Sequence, residues 1–250
     1  MPATPKPSNQ QQQPSTRQTR TAIVTGASRG LGRALAEALV AEGWTVVGDA
    51  RDADALRAAA HDLGPSFVPI VGDVADASHR RALVAAAGPH LDALVNNASA
   101  LGPSPLRTFA ETEPESFDAV LRTNVVAPLA LVRDALPSLR AAGGIVCNIS
   151  SDASVEAYAT WGAYGASKAA LDHASRILAE EEPGIRVHAV DPGDMRTAMH
   201  QDAFPGEDIS DRPPPEASVP GLLDLLAGAE APVRVRVSDV PTLERRETVA

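Results

Sequence analysis

Two side chains in the sequence stand at a spacing that suits proton chemistry. Tyr164 and Lys168 lie four residues apart in the run Tyr-Gly-Ala-Ser-Lys, inside an Ala-rich stretch that predicts a helix over Thr160–Glu181. A four-residue step puts both on one helix face. An ammonium beside a phenol favours the phenolate, which predicts a Tyr164 pKa below the ordinary value of about 10. A phenol tuned in this way can give a proton to a carbonyl oxygen or take one from an alcohol. Taken alone, the pair is equally what an exposed helix presents, so its meaning depends on what surrounds it.

A second constellation lies near the start of the chain. The run Thr25-Gly26-Ala27-Ser28-Arg29-Gly30-Leu31-Gly32 follows an apolar segment and opens a helical one. Glycines there let the backbone turn sharply and let a pyrophosphate approach the amides. The helix start adds free N–H groups and the positive end of its dipole. The spacing is Gly-x-x-x-Gly-x-Gly. The glycines alone would equally suit a tight turn with no ligand, and the strand-to-helix position favours the phosphate reading. The next apolar segment, Trp44–Asp49, ends in Ala50-Arg51. An NAD site would place an acidic residue there for the ribose hydroxyls. That position falls on Ala50, and alternation turns Asp49 to the other face. Arg51 offers a planar donor fork to a 2′-phosphate, and Arg29 in the glycine loop can reach the same group. The expected cofactor is therefore NADP(H) rather than NAD(H).

These residues need a frame that brings residue 26 to residue 164. Candidate strands are Thr21–Thr25, Thr45–Asp49, Ser66–Val71, Leu91–Val95, Gly144–Ile149, Ile185–Val190 and Val233–Val237, with helical stretches such as Gly30–Glu42 between them. Several strands are continuous apolar runs, as expected of parallel strands buried on both faces. The alternation predicts one α/β domain, a Rossmann-type doubly wound parallel sheet of about seven strands over residues 20–240, with helices on both faces. Residues 1–19, rich in Pro and Gln and without an apolar core, read as a disordered tail. Residues 192–220 carry six prolines and read as a substrate lid, and residues 241–250 as a polar tail.

Composition removes several function classes. The 250 residues carry a net charge of -10, which argues against a nucleic-acid partner. The one cysteine excludes an internal disulfide framework and fits a reducing, cytoplasmic compartment. No apolar run reaches the ~20 residues of a membrane helix. His173, His188 and His200 lack metal-ligand spacing, so no metal is expected.

With these runs in order, the chain resembles the short-chain dehydrogenase/reductase family over residues 21–240. The resemblance rests on the glycine loop, on Asp73-Val74 in the run Gly-Asp-Val, and on Asn96-Asn97-Ala98-Ser99. It rests further on Asn124, on Ser151 thirteen residues before Tyr164, on the Tyr164/Lys168 pair, and on Pro192-Gly193 with Thr197. Ser150 is the nearest rival to Ser151. Ser99 departs from the glycine usual in the family. The resemblance implies that Ser151 positions a substrate carbonyl, that Tyr164 exchanges the proton, and that Lys168 binds the nicotinamide ribose and lowers the tyrosine pKa. It implies that Asn124 holds a water linking Lys168 to solvent. Gly26, Ser28, Arg29, Gly30, Leu31, Gly32, Arg51, Asp73, Val74, Asn97, Ala98, Tyr164, Lys168, Pro192, Gly193 and Thr197 would contact the cofactor. Asn96 is read as a polar brace between strands.

The implied activity is NADPH-dependent interconversion of a small-molecule carbonyl and a secondary alcohol, that is, a carbonyl reductase. A non-catalytic NADPH sensor on the same fold is the alternative. A sugar-nucleotide epimerase would need a longer substrate domain. The pocket segments are mostly apolar or aromatic, which favours a hydrophobic ketone or aldehyde. A homodimer through the long helices flanking the fifth strand is expected, with a homotetramer made less secure by the polar C-terminus.

Overall fold

The protein, seen in a computed structural model, is described over residues 19–244; the N-terminal tail up to residue 18 and the last six residues lie outside the described part. The elements run β1 (Thr21–Val24), α1 (Gly30–Ala41), β2 (Thr45–Ala50), α2 (Ala53–Leu63), β3 (Phe67–Val71), α3 (Ala77–Ala87), β4 (Ala93–Asn96), α4 (Pro114–Leu121), α5 (Ala127–Ala142), β5 (Ile145–Ile149), α6 (Gly162–Glu181), β6 (Arg186–Asp191), α7 (Ala198–Ala203), α8 (Val219–Ala227) and β7 (Arg234–Arg236). All seven strands are parallel, in the order β3-β2-β1-β4-β5-β6-β7. The expected doubly wound sheet is what the chain adopts.

Period-two alternation divides the strands between two cores. Ala22, Val24, Ala93, Val95, Ile145 and Cys147 face one side, where α1 and α8 pack through Leu35, Leu39, Leu222 and Leu225. Ile23, Val47, Leu94 and Val146 face the other, against Leu83 of α3 and Leu131, Ala135 and Leu139 of α5. Continuous apolar strands are the direct consequence of covering both faces. Asp52 and Asp76 start α2 and α3 by accepting main-chain N–H bonds.

The strand order reverses between β1 and β4, and the loops leaving their carboxyl ends flank a crevice. The proline-rich segment 192–220 carries regular structure. It contains α7, a short 3-10 turn at Pro215–Ser218 and the start of α8. Pro220 sits in the first turn of α8, where its missing N–H has no helical partner to lose.

Candidate active site

The carboxyl ends of the strands open onto a cavity of about 900 Å³. Its walls come from the glycine loop, Arg51, Asp73 and Val74 on one side, and from Ser151, Trp161, Tyr164, Lys168 and Phe204 on the other. The strand order sets this span, since β2 and β3 lie to one side of the β1/β4 switch point and β5 and β6 to the other.

The glycine loop is built for close approach. Gly26 and Gly30 have φ of +69° and +57°, where a side chain would strain the backbone. A Cβ on Gly32 would stand 2.4 Å from the Gly26 carbonyl oxygen and 2.5 Å from Asn97 Nδ2. Arg29 occupies the N-cap of α1 without a side-chain capping bond, so no side chain covers the first amides of that helix. The loop is held from outside. Asp49 is buried, accepts the Gly26 N–H at 2.8 Å and pairs with His79 Nε2 at 2.8 Å. Thr25 Oγ1 accepts the N–H groups of Asn97 and Ala98, each at 2.9 Å. Asn97 Nδ2 donates back to the Thr25 carbonyl at 2.8 Å. The Asn97 Nδ2 group thus braces the loop, and the residue borders the cavity. Asn96 is a brace as well, donating to Asn148 Oδ1 at 2.8 Å.

Arg29 and Arg51 both border the cavity, are solvent-exposed, and form no ion pair with any described residue. Ala50 stands where an NAD site would carry its acidic residue, while the neighbouring Asp49 and Asp52 border the cavity and accept the main-chain N–H groups of Gly26 and of Asp54 and Ala55. Asp73 turns back to accept the Ala75 N–H at 2.8 Å, which fixes the Gly72–Val74 bend. Gly193 has φ of +76° and donates its N–H to Asp191. Thr197 caps α7 and brings its methyl to 3.5 Å from the place of a Gly30 Cβ, so the lid rests on the start of α1.

At the other side, α6 presents Tyr164 and Lys168 to the cavity one turn apart, both buried. Lys168 Nζ donates to the Ile149 carbonyl at 2.8 Å and lies 5.4 Å from the Tyr164 ring centre. The geometry separates the two serines. Ser150 is buried and gives its hydroxyl proton to Asp172, while Ser151 faces the cavity and donates to Asp152 at 2.9 Å. The predicted lowering of the Tyr164 pKa is overturned here. Burial pushes the phenol up to about 12, with hydrogen bonding between it and Ser151 and Ser99 pulling the other way. Burial likewise pulls Lys168 down to about 8, with Asp172 holding it up. In both groups desolvation of the charged form is the largest cause.

Asn124 sits in a π-helical turn, Arg122–Val126, between α4 and α5. Such turns in helices often mark functional sites. Its Oδ1 accepts from the Ala100 N–H at 2.7 Å and Ser99 Oγ at 3.1 Å. Its Nδ2 donates to the Ala100 carbonyl and to Ser167 Oγ, both at 2.9 Å. The side-chain amide is therefore saturated, and the water expected at Asn124 finds no open position on it. Ser99, the departure from the family pattern, closes this network.

Several site residues carried no sequence signal. Asp172 accepts from Ser150, from Ser154 at 2.6 Å and from Arg234 Nε at 2.9 Å, and Arg234 also donates to the Ser151 carbonyl at 3.2 Å. Arg234 is 62 residues from Asp172, so only the sheet brings them together.

Comparison with known proteins agrees with this geometry. A family model described as short chain dehydrogenase matches residues 20–208. The uncharacterized oxidoreductase YIR035C of Saccharomyces cerevisiae is 36% identical over 182 residues, 71% of each chain. Sepiapterin reductase of Xenopus laevis is 34% identical over 199 residues, 72% of this chain and 74% of its own. A short-chain dehydrogenase from Escherichia coli CFT073, solved in complex with NADPH, superposes with a TM-score of 0.77 at 32% identity, covering 83% of this chain and 90% of its own. With the family model matching residues 20–208 and relatives matched over most of their length, the chain belongs to the short-chain dehydrogenase/reductase family.

Proposed function

We propose that the protein is an NADPH-dependent carbonyl reductase, interconverting a carbonyl and a secondary alcohol with Tyr164 as the general acid/base. The observation that carries this reading is the convergence of Ser151, Tyr164 and Lys168 on one side of a cavity whose other side holds the glycine loop and two unpaired arginines. The cradle fits a dinucleotide: glycines admit the pyrophosphate to the amides of α1, and Arg29 and Arg51 can take a 2′-phosphate. When bound, the cofactor supplies or accepts the hydride.

The chain's own residues do the rest. Ser151 turns its hydroxyl to the carbonyl oxygen and fixes its position. A phenol held up to about 12 is fully protonated at neutral pH, so Tyr164 is poised to donate as negative charge builds on that oxygen. Lys168, one helical turn away, favours the tyrosinate that results. A water serving as relay to solvent would use main-chain groups near Asn124, since the side chain is committed. The lid over Asp194–Pro215 excludes water from the closed site. The NADPH-bound structural relative supports the choice of cofactor. The complete serine, tyrosine and lysine set favours catalysis over a sensor role.

The apolar groove between α5 and α6, lined by Leu129, Val132, Leu136 and Ile177, supports assembly as a homodimer through those helices. The free, buried Cys147 accords with a cytoplasmic setting. The test is a panel of ketones and aldehydes with NADPH, followed by loss of cofactor absorbance, on wild type and Tyr164→Phe. The variant should keep NADPH binding and lose about 10²–10⁴ in rate. Equal rates for the two proteins would refute the assignment.

A further inference from the structure

The wall of the substrate side carries a carboxylate that the reaction does not require. Asp152 follows Ser151 directly. Its Oδ1 accepts the Ser151 hydroxyl at 2.9 Å and the Ala153 N–H at 2.8 Å, and its Oδ2 accepts the Tyr158 hydroxyl at 2.9 Å. It borders the cavity and has no ion-pair partner among the described residues. Asp194, another acid bordering the cavity, is paired with Arg212 at 3.5 Å. Arg236, which feels the Asp152 charge, is engaged with Asp191 at 3.3 Å. Arg196, the cation on the lid side, is exposed and turned to the Ser210 carbonyl.

A serine hydroxyl has one proton to give. To hold a carbonyl oxygen, Ser151 must take its proton away from Asp152. A charged acceptor then loses a bond beside an oxygen that is itself gaining negative charge. A neutral, purely apolar ketone offers nothing in return. A substrate with a positive charge a few bonds from the carbonyl would replace the lost partner and offset the growing charge.

A second observation points the same way. The chain has eight aromatic residues, and four of them, Tyr158, Trp161, Tyr164 and Phe204, line this cavity. Trp161 is the hub, with ring centres 6.2 Å from Tyr158, 5.7 Å from Tyr164 and 5.9 Å from Phe204. Aromatic faces beside a carboxylate form the standard receptor for an ammonium group, through the ring quadrupole and the charge together.

Resting on the carbonyl-reductase reading, we infer that the substrate is a ketone or aldehyde bearing a cationic ammonium group close to the carbonyl, held by Asp152 within the Tyr158/Trp161/Phe204 wall. This narrows the hydrophobic-ketone expectation: the wall is aromatic, but the carboxylate gives it a sign.

The experiment compares (2-oxopropyl)trimethylammonium with its neutral isostere 4,4-dimethylpentan-2-one, in wild type and Asp152→Asn. The intrinsic reactivities of the two ketones cancel when the cationic-to-neutral ratio of kcat/KM in one protein is divided by that in the other. That ratio should fall by about tenfold or more in Asp152→Asn, the size expected for a partly desolvated cation site. A change of less than about threefold overturns the inference. A second measurement needs no variant. Tetramethylammonium should compete with the neutral ketone at least about tenfold more tightly than neopentyl alcohol does, and equal inhibition overturns the inference. If wild type reduces neither ketone, the carbonyl-reductase reading fails by itself. Calorimetry of tetramethylammonium with the NADPH-loaded protein then decides the cation site, with absence of binding overturning it.

Discussion

Replacing Arg234 by Met should cost this protein more than any surface substitution, because it strands a buried carboxylate beneath the active site. Asp172 has only 6% of its side chain exposed and Arg234 20%, and their Nε–O distance is 2.9 Å. Methionine keeps most of the arginine's length and removes its charge. Asp191, 3.8 Å from the same guanidinium and 2% exposed, retains Arg236, so the loss falls mainly on Asp172. Removing one partner of a buried pair costs roughly 3–5 kcal/mol, and the partial exposure of Arg234 places the expectation near the lower end, about 3 kcal/mol. With a urea m-value of about 3 kcal/mol/M for a domain of this size, the unfolding midpoint should drop by about 1 M. The double variant Arg234→Met/Asp172→Asn should recover part of that loss, giving a coupling of at least about 1 kcal/mol in the cycle. Activity should fall as well, since Arg234 also holds the Ser151 carbonyl. Urea unfolding followed by circular dichroism decides the matter. A single variant within about 0.5 kcal/mol of wild type, the range of ordinary surface changes, would refute the argument that this pair is an electrostatic support of the serine loop.

Four further outcomes follow from named geometry. The kcat/KM for carbonyl reduction, measured from about pH 6 to about pH 10, should be level at first and fall above about 8 as Lys168 loses its proton, while Tyr164, at about 12, adds no limb in that range. Because the folded pKa of Lys168 lies below its free value of 10.5, stability gains from this group as pH rises from about 8 towards 10.5, which a melting series would show as a positive contribution in that window. Gly32→Ala should weaken NADPH binding by about tenfold or more, since its Cβ would meet the Gly26 carbonyl at 2.4 Å and push the loop out of shape; unchanged binding in a titration would contradict the close-approach role. Ala50→Asp with Arg51→Ala should shift cofactor preference from NADPH towards NADH by about tenfold in kcat/KM, and equal efficiency with both cofactors in wild type would mean that Arg51 is only a surface residue.

What the sequence made legible is what chain connectivity dictates. The glycine loop is contiguous, so its turn and its helix start can be read in eight residues. Tyr164 and Lys168 share a helix, so a step of four suffices to place them together. The apolar runs of β1, β4 and β5 announce strands buried on both faces, and from them the order of layers follows. Legibility ends where a property depends on residues that only the tertiary fold assembles. The Tyr164 phenol shows this most clearly. Its lysine neighbour is visible in the sequence and predicts a lowered pKa, but the burial that pushes it up to about 12 comes from the lid, the aromatic wall and the serine loop around it. Only the distance to Tyr164 favours Ser151 over its neighbour Ser150 in sequence; in the fold Asp172, one turn below Lys168 on α6, takes the proton of Ser150 and sets the two apart. The helices inside the proline-rich segment are a related case: Thr197 can cap α7, and Pro220 can open α8, because those positions fall at helix starts. Asp152 is the most consequential case. In sequence it is one more acidic residue in a chain of charge -10, whereas in the fold it is an unpaired carboxylate touching the serine that must hold the substrate. A charge in that place opposes the build-up of negative charge that carbonyl reduction requires, unless the substrate brings a charge of the opposite sign with it.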